Sequence, residues 1–265
     1  MLRLVIANQR GGVSKTTTTA ALARIYSGRG LRVLAIDADP QGSLGLVLGL
    51  KPSRYIHDFL VHNRSLSECV VPVADNLDVL CGNRDTTRIE HALLGTTGRE
   101  QAFRRHFEKS DGMYDVVLID VAPSISLLQT CAILYAQRLV IPVAMDMLSL
   151  QGAAACLQTA SMLSTAFQCE IQAVAILPAM VDRRYSLTAF VLSALQEMSG
   201  RYGVPLLHAI RTDGNVPKAE RARRFLVDYS PESRASEDYR IAAGELKVLL
   251  DAAEQRDSRA QAMSA

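Results

Sequence analysis

A chain of 265 residues can bury a core as one large or two small domains, and 49% apolar and 21% charged residues are ordinary for a globular protein. The net charge of +2 excludes a uniformly polycationic surface, so any attraction to a polyanion must come from local clustering, and the absence of Trp excludes a Trp-based stacking surface for nucleic acid. Five scattered cysteines without C-x-x-C spacing (Cys69, Cys81, Cys131, Cys156, Cys169) argue against a disulfide framework or a zinc site and for reduced, mostly buried thiols.

The chain opens directly on an apolar run, Leu4–Asn8, with no charged leader and no h-region, so no signal peptide is expected. A glycine-containing stretch follows, and then a helix beginning near Lys15 and running to Tyr26. Leu31–Asp37 reads as a second strand. Residues 43–70 are mixed, with helical pieces at Tyr55–Leu60 and Leu66–Val70. Leu77–Cys81 is a short strand, and 85–109 reads as polar helix broken near Gly95–Gly98. Tyr114–Asp120 is the strongest strand, continuously apolar as in a sheet covered on both faces. A helix from Ser126, the strand Arg138–Val143 and a helix over Leu150–Ala166 come next. The strand Ile171–Leu177, a helix over Leu187–Ser199, the strand Leu206–Ile210, a basic segment and a helix over Ala235–Ala253 complete the pattern. Such alternation predicts an α/β, doubly wound, mostly parallel sheet with helices on both faces. One domain over 1–253 is expected, with a tail over 254–265 that frays. No apolar run approaches the roughly 20 residues of a transmembrane helix.

Residues 8–19, Asn-Gln-Arg-Gly-Gly-Val-Ser-Lys-Thr-Thr-Thr-Thr, carry the sharpest chemistry. Gly11 and Gly12 allow a tight bend that turns successive N–H groups toward phosphate oxygens, and the following helix adds its N-terminal donors. Lys15 supplies a charge to β- and γ-phosphates, and Thr16 is placed to ligate Mg²⁺. An ordinary tight turn is the plain alternative for Gly-Gly alone. The common G-x-x-x-x-G-K-[ST] pattern fails, because its glycines would fall at Gln9 and Ser14.

What the chain carries is basic-G-G-x-x-K-T-T, which resembles the deviant Walker A loop of the ParA/MinD family of P-loop ATPases. The resemblance implies nucleotide contacts from Arg10, Gly11, Gly12, Val13, Ser14, Lys15, Thr16 and Thr17, with ATP and Mg²⁺ as ligands. It also implies that Arg10, which stands where the family has lysine, reaches across a homodimer to the partner's nucleotide.

Further motifs agree with it. Asp37-Ala38-Asp39-Pro40-Gln41-Gly42 ends the second strand, at the edge where parallel sheets bind ligands. Two acids there can hold Mg²⁺ through water and orient an attacking water; Asp-Pro-Gln-Gly also makes a good turn, so both readings stand. The family's D-x-D-P-Q-G motif assigns the water-positioning role to Asp39. Asp120, after four apolar residues and before Val121-Ala122-Pro123-Ser124, is similar to a Walker B carboxylate, which gives Thr16, Asp39 and Asp120 as the metal set. Pro142–Asp146 and Ser149–Gly152 resemble a family loop near the dimer interface, and no chemistry is assigned to them. In the relatives, the loops after Leu177 and Ile210 lie beside the base, which implicates Met180, Arg211 and Asp213.

Between Arg201 and Arg224 six Lys or Arg stand against two acids, a local charge of +4. A bare charge run is usually a solvated helix face. The resemblance points instead to non-specific DNA binding by Arg183, Arg184, Lys218, Arg221, Arg223 and Arg224. It implies a small ParA/Soj-type ATPase for plasmid or chromosome partition, cytoplasmic and nucleoid-associated when ATP-bound. Its hydrolysis would be slow and stimulated by a ParB-like centromere-binding protein. No helix-turn-helix domain is expected before Leu4. A MinD-like positioning ATPase is the alternative, but residues 255–265 offer only Met263 as a bulky apolar group, so no stable membrane association is expected. A nucleotide-binding scaffold with little hydrolysis is a third reading. The five histidines show no shared ligand spacing and no companion nucleophile, so Ser/His/Asp or Cys/His catalysis has no support.

Overall fold

The computed structural model describes the backbone of residues 1–110 and 112–264; the side chains of 254 and 256–264 lie outside the described residues. Seven strands form one sheet: β1 (Leu2–Ile6), β2 (Val33–Asp37), β3 (Val70–Ala74), β4 (Leu77–Leu80), β5 (Val116–Asp120), β6 (Arg138–Ala144) and β7 (Gln172–Ala179). Their order is β3-β4-β2-β5-β1-β6-β7, and every pair is parallel except β3 with β4. The α-helices in chain order are α1 (Lys15–Gly28), α2 (Ser43–Val47), α3 (Ile56–Leu60), α4 (Leu66–Cys69), α5 (Thr86–Leu93) and α6 (Ala102–Phe107). Then come α7 (Leu127–Ala136), α8 (Met147–Phe167), α9 (Ser186–Tyr202), α10 (Asn215–Arg221), α11 (Leu226–Tyr229) and α12 (Arg234–Ser264). Of the tail expected to fray over 254–265, residues 254–264 fall in the last turns of α12 and residue 265 lies outside the described residues.

Successive strand residues point to opposite faces, and the core divides accordingly. Val5, Leu34, Ile36, Val117 and Ile119 pack on the face covered by α3, α6, α7 and α8. Leu4, Ile6, Val33, Ala35, Val116 and Leu118 pack on the face covered by α1 and α12. Burial on both sides is why the central strands read as unbroken apolar runs. All five cysteines are free, and four are buried.

Three expectations fail locally. The strand β3 occupies residues placed at a helix end or left unassigned; it adds antiparallel at the sheet edge, where Pro72 is exposed and coincides with a register shift. Leu206–Ile210 is not a regular strand. The segment meets β7 and the loop after it through two isolated bridges, Ile176 with Leu206 and Val181 with Arg211, because Pro178 of β7 has no N–H to donate to Leu207, and pairing resumes one residue out of step with Ile210 donating to the Pro178 carbonyl. The first strand ends at Ile6 rather than Asn8, whose amide nitrogen turns inward to the carbonyls of Pro142 (2.8 Å) and Ser149 (3.1 Å).

Candidate nucleotide-binding site

The register that pairs Ile6 and Asp37 with Asp120 sets the tips of β1, β2 and β5 side by side at the C-terminal edge of the sheet. Between β1 and α1 the chain makes a tight loop. Gly12 has φ 76° and Ser14 φ 68°, so the left-handed positions are Gly12 and Ser14, not Gly11. Gly11 keeps an ordinary φ, and a Cβ there would stand 4.0 Å from Pro123, in normal contact. A Cβ on Gly12 would meet nothing within 4 Å, so the backbone there borders open space and the glycine is required by its φ alone. The Val13 side chain is buried, so only its backbone can face a ligand. Lys15 curls under the loop and donates to the Arg10 carbonyl at 2.9 Å. Burial pulls its pKa down, while the charges of Asp120 and Asp39 hold it up.

Thr16 Oγ1 donates to Asp120 Oδ2 at 2.6 Å. Burial pushes the Asp120 carboxyl up to about 7, against the pull of the Thr16 hydrogen bond and the Lys15 charge. Its other oxygen, Oδ1, is buried without a hydrogen-bond partner. Asp37 is raised well above the ordinary carboxylate range by burial and then by Asp120, although the amides of Asp39 and Leu44 donate to it. Asp39 is less enclosed: its Oδ1 accepts from the Gln41 amide at 2.8 Å, the turn expected of Asp-Pro-Gln-Gly. An orphaned carboxylate oxygen, a threonine hydroxyl and a second acid nearby form a hard, all-oxygen donor set that suits Mg²⁺.

These groups open onto a cavity of about 570 Å³. One wall is Gly11, Gly12 and Ser14 to Thr17, with Asp39 and Pro123; the other is Met180, Ile210 to Gly214, and Val216, Pro217 and Glu220 of α10. The structure thus brings Met180, Arg211 and Asp213 to the phosphate loop. Two of the three are already engaged. The Arg211 guanidinium grips the fully buried Asp238 of α12, with contacts of 2.7–3.1 Å. Asp213 accepts from the amides of Asn215 and Ala235, at 2.8 and 3.2 Å. Met180 is half-exposed with φ 56°, a strained conformation for this residue at the cavity rim.

Several site residues escaped the motifs. Glu220 accepts from Thr17 Oγ1 at 3.3 Å, and Tyr239 meets Thr18 at 3.2 Å while lining the same cavity. Two residues inside the quoted stretches take a structural part that their motifs do not assign: Asn8 anchors the start of the loop, and Gly152 of α8 leaves room for it, since a Cβ there would fall 2.2 Å from Asn8 Oδ1.

Arg10 is exposed and forms no ion pair among the described residues; its charge helps to hold Asp146, the N-cap of α8, below the usual range against burial. Arg183, Arg184, Lys218, Arg221, Arg223 and Arg224 are all exposed. The bridge between Val181 and Arg211 runs the loop of Arg183 and Arg184 alongside the segment leading to α10. Arg184 is chelated by Asp182 (2.5 and 2.9 Å), and Arg224 donates to the Asp228 carbonyl at 3.1 Å, so their charges are partly spent locally.

A phosphate-type loop at the tip of a central parallel strand, faced by an acid-tipped neighbour, defines a P-loop nucleotide-binding protein. Residues 1–173 match the family profile described as an AAA domain. The chain is 28% identical over 249 residues to sporulation initiation inhibitor protein Soj of Bacillus subtilis, spanning 92% of this chain and 97% of that protein. It is 31% identical over 245 residues to chromosome-partitioning ATPase Soj of Thermus thermophilus, spanning 92% and 94%. Cobyrinic acid a,c-diamide synthase of Mycobacterium smegmatis, solved with bound ADP and magnesium, superposes with a TM-score of 0.78 at 29% identity, over 92% of this chain and 93% of that one. The chain belongs to the ParA/Soj branch of the ParA/MinD family of P-loop ATPases with a deviant Walker A loop.

Proposed function

We propose that this protein is an ATP-dependent DNA-partition ATPase of the cytoplasm. Two copies close on ATP and Mg²⁺, the dimer holds DNA without sequence preference at the nucleoid, and slow hydrolysis, accelerated by a ParB-like centromere-binding protein, releases it. The observation that carries this reading is a shared wall: α10 lines the cavity that opens onto Lys15, Thr16 and Asp39, and its outer face carries Lys218 and Arg221. Its kinship with Soj ATPases supports the same reading.

In this mechanism the loop amides and the N-terminus of α1 cradle the phosphates, and Lys15 exchanges the Arg10 carbonyl for phosphate oxygens. Thr16, Asp120 and, through water, Asp39 would hold Mg²⁺, which supplies charge neutralisation to the β- and γ-phosphates. Asp39, oriented by the Gln41 amide, keeps Oδ2 free of hydrogen bonds among the described residues and can align water for in-line attack. Arg10, free of an ion pair among the described residues, reaches the partner's phosphates.

The test is co-sedimentation with DNA in ATP, in ADP and without nucleotide, with liposomes as control and phosphate release followed in the same samples. DNA retained only with ATP, with slow phosphate release, is the expected result. Retention on liposomes would point to a membrane-positioning ATPase, and binding without turnover to a scaffold. Among the described residues no helix is long and apolar enough to cross a membrane.

A further inference from the structure

Outside the nucleotide cavity, one cluster of side chains among the described residues has the composition of a metal site. Ile56, Phe59 and Leu60 turn α3 onto the core, which leaves His57 and Asp58 toward the surface. The helix stops at Leu60, and the turn through Val61 brings His62 back over the same place. That turn is why the spacing, five residues instead of the four of a helical pair, shows no ligand pattern in the sequence. One ligand atom from each of His57, Asp58 and His62 lies within 4.8 Å of the others. His62 Nδ1 stands 3.2 Å from Asp58 Oδ1, and the two imidazoles meet edge-on with centroids 4.8 Å apart.

The carboxylate is already positioned. Asp58 Oδ2 accepts from the Tyr55 amide at 2.9 Å at the start of the helix, so Oδ1 is fixed toward the histidines. The start of the helix needs only the amide contact, and an ion pair needs only one histidine. Neither accounts for a second imidazole packed against the first.

We propose that His57, Asp58 and His62 form a binding site for one Zn²⁺ ion, with two imidazole nitrogens and one carboxylate oxygen as ligands and a fourth position left to water. Two nitrogens and one oxygen suit a small, borderline-soft cation, whereas Mg²⁺ and Ca²⁺ favour all-oxygen sets. Tetrahedral Zn²⁺ with bonds of about 2.0 Å needs ligand atoms roughly 3.3 Å apart. His62, with 55% of its side chain exposed, has the freedom to close that gap by a rotamer change.

The experiment is zinc titration by calorimetry of the full chain after chelator treatment, with cobalt absorption as a second readout of tetrahedral ligation. One zinc per chain at micromolar affinity is expected. His57→Gln and His62→Gln should each weaken it about tenfold or more, and Asp58→Asn, which keeps an acceptor for the Tyr55 amide, should weaken it similarly. Asp120→Asn, a change in the nucleotide site, should leave it intact. No uptake by the parent, uptake unchanged in the doubly substituted His57→Gln/His62→Gln chain, or loss of uptake in Asp120→Asn would each overturn the proposal. Circular dichroism of every variant separates loss of a ligand from loss of the fold.

Discussion

Thr16 and Asp120, 104 residues apart, meet through a 2.6 Å hydrogen bond that joins the first turn of α1 to the tip of β5. The hydroxyl satisfies one oxygen of a buried carboxylate and leaves the other without a partner. A buried acid in that state is favourable to keep neutral and costly to ionise.

A pH dependence follows for the protein without ligands. The Asp120 carboxyl is raised to about 7 from an ordinary value of 3.8, so the folded chain binds a proton more tightly than the unfolded one. The stabilisation from this group is full below the unfolded value and is lost as pH rises through about 7. Urea midpoints of the parent should therefore fall more steeply between about pH 4 and 7 than those of Asp120→Asn, and Mg²⁺ with ATP should restore them. Equal slopes for the two chains would show that Asp120 ionises freely.

Lys15 and Asp39 should separate binding from turnover. Lys15→Ala removes the charge beneath the loop and should abolish measurable ATP binding in calorimetry. Asp39→Ala should bind ATP near the parent affinity and lose most hydrolysis, because its carboxylate acts on the attacking water. Hydrolysis at the parent rate in Asp39→Ala would remove that role.

The basic residues should not contribute equally to DNA binding. Lys218→Glu and Arg221→Glu should weaken ATP-dependent binding strongly, with a shallower salt dependence and unchanged ATP affinity. Arg184, already chelated by Asp182, should cost less when reversed. The comparison is a filter-binding salt series, and equal losses at all three positions would mean that the Asp182 contact opens on DNA.

Arg10 carries the riskiest expectation. In an Asp39→Ala background that retains ATP, light scattering should show a dimer with ATP, a monomer with ADP, and loss of the dimer in Arg10→Ala. Arginine can grip two phosphate oxygens where lysine offers a single charge, so Arg10→Lys should preserve the dimer with weaker association. A dimer undisturbed by Arg10→Ala would reduce Arg10 to a loop residue.

Gly152→Ala should destabilise the fold by about 1–3 kcal/mol, because its methyl would displace Asn8 and the start of the phosphate loop. Thermal unfolding reads this directly. An unchanged midpoint would show that the Asn8 amide turns aside without cost.

Much of this molecule is legible in the chain itself. The loop at residues 8–19, the acids at 37, 39 and 120 behind apolar runs, and the alternation of strand and helix are local properties. A glycine bend, a strand tip and a helix start each depend on a few neighbouring residues, so their spacing is readable without the fold. The tertiary structure decides matters that depend on distant partners. Pairing with β4 makes Val70–Ala74 a strand, and the lack of a continuous ladder denies that state to Leu206–Ile210, because a strand exists only where a neighbour supplies its hydrogen bonds. The Arg211 guanidinium is turned to Asp238, and Glu220 is brought to Thr17. His57 and His62 converge because a helix ends between them. Local sequence sets which chemical groups are present, but their reach and direction are set by packing and by the partners that satisfy them.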